Sequence, residues 1–249
     1  MKVLIGTSGY SYKHWAEGVF YPQGLSQARW FTFYAQQFDT VELNVTFYRL
    51  PKITVFENWR QKAPQNFRFS VKGSRYITHI KRLKDVKEPL ARLAQRIRPL
   101  AEQIDCVLWQ LPPSMKDSQQ RLSAFCLALM KDSVFCGMKQ VFEFRNETWF
   151  QRRTYKILQE HGFCLCFADS GSQMGAEVLT GDYIYLRFHG RGARYGSEYS
   201  DEELRQWAGK VRDWKARIKC VYAYFNNDAY GFAPRNARRF RELLKDEES

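Results

Sequence analysis

The sequence predicts an α/β fold: a TIM-like (β/α)8 barrel, closed and parallel, filling residues 1–249 as a single domain. Three observations predict it. Eight short apolar runs recur along the chain: VLIGTSGY, DTVELNVTFY, FRFSVKG, DCVLWQLPPS, QVFEFRNETW, FCLCFADS, YIYLRFHGR and CVYAYFNND. Most are followed by a stretch of helical character, and strand then helix repeated about eight times is the pattern of such a barrel. The length of 249 residues fits the roughly 250 that one barrel needs. No Pro/Gly/Ser-rich linker, solenoid period or low-complexity tract divides the chain.

The elements follow in order. Strand one covers 2–7, and the loop 8–24 is rich in glycine and aromatics. Ser26 is placed to cap a helix running to Phe38, in which Trp30, Phe33, Tyr34 and Phe38 recur at helical spacing. Strand two is 40–44; a helix over 54–62 ends before Pro64. Strand three is 67–72, followed by the loop GSRYITHIKR and a helix over 83–103 that Pro89 interrupts or opens. Strand four, 106–110, stops at Pro112 and Pro113, and 118–131 is helical. Strand five is 140–145; Thr148 is expected to cap a helix to His161, which Gly162 ends. Strand six, 163–169, precedes a short, weakly helical segment. Strand seven is 183–189; Ser200 and Glu203 form a capping box for a helix to Arg217. Strand eight is 220–226, and Pro234 suits the first turn of a last helix ending at Lys245.

Hydrophobic residues make up 45% of the chain, enough for a sizeable core, and aromatics 16%, which can fill it. The N-terminal MKVLIGTSGY is too short in its apolar run for a signal-peptide core. No apolar run approaches the roughly 20 residues that span a bilayer. The expectation is a soluble cytoplasmic protein with no membrane partner. Of six cysteines, Cys106, Cys164, Cys166 and Cys220 lie in expected strands and Cys126 on a helix, where reduced cysteine packs as a small hydrophobe. No CxxC pair points to zinc or redox chemistry.

The net charge is +13. Part of it lies on two basic helical stretches, 81–98 and 205–219. Another part lies after strands: Lys72, Arg75, Lys81 and Arg82 after the third, Arg187, Arg191 and Arg194 around the end of the seventh, Arg235 after the eighth. A positive barrel mouth attracts anions, either phosphorylated metabolites or nucleic acid.

Side chains alternate across a strand. Glu42 and Asn44 therefore share a face opposite Val41, Leu43 and Val45. Ser70 and Lys72 oppose Phe69 and Val71; Glu143 and Arg145 oppose Phe142 and Phe144; Arg187 and His189 oppose Leu186 and Phe188. The apolar set should face the helices and the polar set the interior. Gln110, Asp169, Asn226, Asn227 and Asp228 add to the polar set near strand ends. Active sites of this fold sit at the C-terminal ends of the strands, so these residues are the candidate site.

Within it, Glu42, Lys72, Glu143, Asp169 and His189 are the candidate catalytic residues. Glu143 or Asp169 is placed to act as base and His189, whose ordinary pKa is near neutrality, as acid. Lys72, Arg145, Arg187 and Arg191 would hold an anion, with Asn44, Tyr48, Gln110, Asn226, Asn227 and Asp228 as further ligand contacts. Loops HGRGARYG and NNDAYGFAPRNAR supply Gly190, Gly192 and Gly231 with Arg191, Arg194 and Arg235, the loop pair that often binds phosphate in this fold. Lys72 in cationic surroundings is also a candidate Schiff-base nucleophile.

Other chemistries fit less well. No cofactor is expected. Glu42, Glu143, Asp169 and His189 could hold a divalent cation, yet no HxH or HExxH pair occurs and Arg145 and Arg187 would repel it. A glycosidase needs two nearby carboxylates; Glu143 with Asp169 or Glu42 could serve, but strand four carries Gln110 where barrel glycosidases carry glutamate. Two other readings stand beside a small-anion enzyme. One is nucleic-acid binding, with Tyr10, Tyr12, Trp15, Phe47, Tyr48, Trp149 and Tyr195 as stacking platforms. The other is a non-catalytic barrel closed by an internal network of Glu42, Lys72, Glu143 and Arg145.

The motifs GTSGYSYKHW with FYP, TVELNVTFYRLP, FSVKG with ITH, LWQLPPS, FEFRNETW, AD, YLRFHGR and YFNND with NA resemble, in order and over essentially the whole chain, the DUF72 family, which includes the bacterial YecE-like proteins. Tyr10 stands where many members have Trp. The resemblance implies a TIM-barrel-like fold and no established activity. That fold is similar to endonuclease IV-like and xylose isomerase-like barrels, which implies nucleic acid as an alternative partner. The dense His/Glu/Asp set of a trinuclear zinc nuclease is missing from this chain.

Overall fold

In the computed structural model, which describes residues 1–170, 177–192 and 196–245, the expected alternation is realised. The strands are β1 (Lys2–Thr7), β2 (Thr40–Leu43), β3 (Arg68–Lys72), β4 (Ile104–Gln110), β5 (Lys139–Glu143), β6 (Cys164–Asp169), β7 (Tyr183–Phe188) and β8 (Cys220–Phe225). The helices are α1 (Trp30–Gln37), α2 (Val45–Tyr48), α3 (Ile53–Lys62), α4 (Lys87–Ile97), α5 (Gln119–Lys131), α6 (Arg152–Glu160), α7 (Asp201–Asp213) and α8 (Phe232–Lys245). The strand order is β1-β8-β7-β6-β5-β4-β3-β2, and a parallel bridge from Ser8 to Glu42 links β1 to β2. This is the TIM-like (β/α)8 fold. The weakly helical segment expected after β6 falls largely on 171–176, outside the described residues, as do Arg194 and Tyr195.

The chain forms two compact units from interleaved segments: 1–42, 167–173 and 182–249 in the first, 43–166 and 174–181 in the second. In the first unit, β8 pairs in parallel with β1 and with β7 over six residues each. Every residue of β7 and β8 is buried, as expected of parallel strands covered on both faces. Phe188 packs on Trp207 of α7 and Phe240 of α8, with ring centroids 5.5 and 5.4 Å away. Tyr185 points to the other face, 5.1 Å from Tyr224, whose hydroxyl meets Thr40 Oγ1 at 2.8 Å. Apolar side chains thus face the helices and polar ones the interior, as the alternation predicts.

In the second unit, β4 pairs with β3 and β5, and β5 with β6. Trp109 and Phe142 pack on Phe125 of α5 at 4.9 and 6.1 Å. Gln110 and Glu143, one residue further on, turn to the other face and meet each other. Gly73 continues β3 through a hydrogen bond from its N–H to Leu108 O, 2.8 Å. A Cβ there would stand 2.3 Å from the Trp109 ring, so the turn leaving β3 requires glycine.

Several local expectations are corrected. Thr148 does not cap a helix. Its hydroxyl donates to Asn146 Oδ1 and accepts from the Asp117 N–H, Asn146 caps a 3-10 turn at Glu147–Trp149, and α6 starts only at Arg152. Ser26 makes no side-chain cap and precedes a 3-10 turn, Gln27–Arg29. The helix expected over 83–103 begins at Lys87 and continues from Arg98 to Gln103 as 3-10 turns. α7 ends at Asp213 rather than Arg217. Its Ser200–Glu203 capping box is formed as expected, and Gly162, at φ 64°, follows α6.

Candidate active site

At the C-terminal end of β7 the first unit holds a buried carboxylate in a full set of donors. Glu42 receives a bidentate contact from Arg187, Nη2 to Oε1 at 2.7 Å and Nε to Oε2 at 3.0 Å. The Ser8 hydroxyl donates to Oε1 and the Tyr185 hydroxyl to Oε2, each at 2.7 Å. Burial pushes the Glu42 carboxyl up, but the Arg187 charge and the hydrogen bonds from Arg187, Ser8 and Tyr185 outweigh it and hold the group below the ordinary glutamate range. Arg187 is 1% exposed. Arg187, expected to hold an anion at the barrel mouth, is instead buried in an ion pair with Glu42. The reason is register: β7 places Tyr185 and Arg187 on the face that also carries Glu42.

His189 is fully buried beyond Arg187. Its Nε2 lies 3.5 Å from Arg187 Nη1 and its Nδ1 3.1 Å from the Asn226 amide. Asp169, at the end of β6, accepts from Trp207 Nε1 at 2.7 Å and from Arg191 Nε at 2.9 Å, while Arg191 also approaches Glu203 at 3.6 Å. The glycine loop after β7 engages its donors within the chain: Gly190 N–H to the Tyr199 hydroxyl and Gly192 N–H to Ser197 Oγ. Asn227 donates to Ser197 O and to Asn236 Oδ1. Asp228 O accepts from Trp15 Nε1 and meets His14 Nε2, tying the β8 loop to the β1 loop. Burial raises the Asp228 carboxyl.

The second unit gathers a different set at the ends of β3 and β5. Glu143 is fully buried, accepts from Gln110 Nε2 at 2.9 Å and is ion-paired with Arg145. Lys72 lies almost buried with its Nζ 4.1 Å above the Phe47 ring. Phe47 also meets the His79 ring edge-on at 5.0 Å. Thr46, on α2, donates to Lys72 O at 2.6 Å and so ties that helix to β3. Asn44, just before α2, keeps a buried Oδ1 without a hydrogen-bond partner.

His79 lies on a single π turn, Tyr76–Ile80. Partial burial, then the charges of Lys72 and Arg75, push its imidazole down to about 4, against the opposing pull of Glu143. It is therefore neutral at physiological pH. The Thr78 hydroxyl lies 2.9 Å from His79 Nδ1 and 3.2 Å from Ser74 O. His79 is thus a neutral imidazole, hydrogen-bonded to Thr78 through Nδ1, in cationic surroundings.

Of the expected site residues, the structure brings Glu42, Arg187, His189 and Asn226 together in the first unit, and Asp169 with Arg191. In the second it brings together Glu143, Arg145 and Gln110, and sets Lys72 beside Phe47 and His79. Tyr48 stands apart on α2, 77% exposed. His79 carries more of the site than its sequence position promised; the signal was ITH, a few residues past Lys72. Trp15 and Trp149 are fully buried and Phe47 nearly so, which corrects their reading as open stacking platforms. Among the described residues no group of three His, Cys, Asp or Glu side chains is placed to hold a metal, and no helix is long and apolar enough to cross a membrane.

Known proteins resemble the chain over its full length. The model of a family described as "Protein of unknown function DUF72" matches residues 4–249. A DUF72 family protein from Thermotoga maritima is 32% identical, with a TM-score of 0.86 over 98% of this chain and 100% of that one. Another from Enterococcus faecalis, 20% identical, shares the fold with a TM-score of 0.81 over 97% of this chain and 95% of its own. The UPF0759 protein YunF of Bacillus subtilis is 26% identical over 99% of this chain and 96% of its own.

Proposed function

The chain belongs to the DUF72 family, and from that premise we propose that it binds a small anion, phosphorylated or carboxylated, at the C-terminal ends of β3 and β5, as an enzyme using His79 and Glu143 for proton transfer. One observation carries this reading. Glu143 is buried and ion-paired with Arg145, and beside it burial, then the charges of Lys72 and Arg75 against the pull of Glu143, push the His79 imidazole down. An anion entering there meets cations at a partly desolvated site, where charge-assisted hydrogen bonds are strongest. The neutral His79 imidazole takes a proton from the ligand, and Glu143, gripped by Arg145 and Gln110, is the second proton carrier.

The arginines at the end of β7 and beyond have a different part. Arg187 and Arg191 already neutralise Glu42 and Asp169 at hydrogen-bond distance. Both pairs serve as framework that fixes the strand ends.

Thermal unfolding tests the anion site. Phosphate or sulfate at millimolar concentration should raise the melting temperature more than chloride at equal ionic strength, because a ligand that binds only the folded state stabilises it. Lys72→Met should remove that difference. Equal effects of phosphate and chloride on the parent protein would overturn the reading.

A further inference from the structure

Beside Phe47 the second unit has a groove of about 790 Å³. Its volume lies within the roughly 300–1,000 Å³ of sites that take one small molecule. Three large apolar side chains on its walls face solvent: Tyr48 is 77% exposed, Tyr76 50% and Ile80 60%. Exposed aromatics gathered around one concavity are uncommon on a surface with nothing to bind.

The charge of the groove has a sign. Lys81 approaches Asp85 at 3.9 Å, and Arg92 pairs with Glu88 at 2.9 Å. Arg75 and Lys87 line the same groove and have no ion-pair partner among the described residues. The groove is therefore cationic as well as aromatic. Its backbone is unusual too. The π turn at Tyr76–Ile80 is followed by Arg82, Leu83 and Asp85 with φ of 49°, 64° and 46°. Non-glycine residues seldom hold that left-handed conformation, and such strain collects where a surface has to be shaped for binding.

The groove shares Phe47 and Arg75 with the site proposed above. Phe47 lines it, and the same ring lies under Lys72 Nζ and against His79. We propose that this groove is the subsite for a planar ring carried by the anion, so that the ligand is an aromatic or heteroaromatic phosphate of mononucleotide size, its phosphate at Lys72, Arg75 and His79 and its ring between Tyr48 and Tyr76. This rests on the anion reading and specifies the substrate class. Volume decides between a single nucleotide and a polymer: the groove accommodates one base and sugar, not a strand several nucleotides long.

Isothermal titration with four probes tests it: inorganic phosphate, ribose 5-phosphate, adenosine 5′-monophosphate and a 12-nucleotide single strand. The nucleotide should bind about tenfold tighter than ribose 5-phosphate, the gain expected from stacking one base. Tyr48→Ala and Tyr76→Ala should each remove most of that gain and leave phosphate binding unchanged; both side chains are exposed, so the variants fold. Equal binding of nucleotide and ribose 5-phosphate, with phosphate still bound, would refute the ring subsite and leave the anion site standing. A gain that survives both tyrosine variants refutes it likewise. Binding of none of the probes refutes both. Oligonucleotide binding tighter than the mononucleotide and falling steeply with salt would instead identify a polymer track.

Discussion

Arg187 shows how one side chain separates framework from ligand site. It is buried, its guanidinium is engaged in a bidentate contact with Glu42, and Glu42 is itself fully buried. Removing the arginine leaves a buried carboxylate without its counter-charge, which costs about 3–5 kcal/mol. Arg187→Met should therefore lose about that much in urea unfolding; a loss under about 1 kcal/mol would mean the pair is not a structural element. Glu42 adds a pH signature. Its folded pKa lies below the ordinary 4.5, so folding favours the ionised form. That contribution is complete above about pH 4.5 and is lost as pH falls through the lower folded value. Glu42→Gln should flatten the acid limb of stability against pH below 4.5, and an unchanged slope would contradict the assignment. Sequence alternation placed both residues on the interior face, but a period of two says nothing about which strand's carboxylate a given arginine meets. That choice depends on packing between residues 145 positions apart.

At the scale of elements, the capping box of α7 was legible because Ser200 and Glu203 recognise each other within three residues. Ser200→Ala should cost about 1 kcal/mol, measured by thermal or urea unfolding. Thr148 failed as a cap because a neighbour three-dimensionally close but distant in sequence, Asp117, takes its hydroxyl. The four-residue α2 and the π turn that carries His79 lie below the length at which periodicity speaks. The turn after β3 hinges on Gly73. A methyl group there meets Trp109, so Gly73→Ala should overpack the unit by about 1–3 kcal/mol and displace the segment that bears Arg75 and His79. A crystal structure of the variant with that segment unmoved would contradict this.

For the whole molecule, the eight strands, their order of appearance and their buried faces could all be read from the sequence, because strand and helix alternate with clear periods and each strand ends in polar residues. The distribution of function along those ends could not. A net charge of +13 attracts any polyanion at low salt, so binding alone does not single out a site. What singles it out is a local response. Burial, then the charges of Lys72 and Arg75 against the pull of Glu143, push the His79 imidazole down to about 4, and an anion bound among those cations relieves the part that the charges supply. The most direct test is an NMR titration of the His79 ring from pH 3 to pH 8, without and with saturating inorganic phosphate, with His79→Gln to assign the signal. The account predicts a midpoint near 4 that moves upward when phosphate binds. A midpoint at the ordinary 6.5, or one that phosphate leaves in place, would contradict the central claim that this end of β3 and β5 is an anion site.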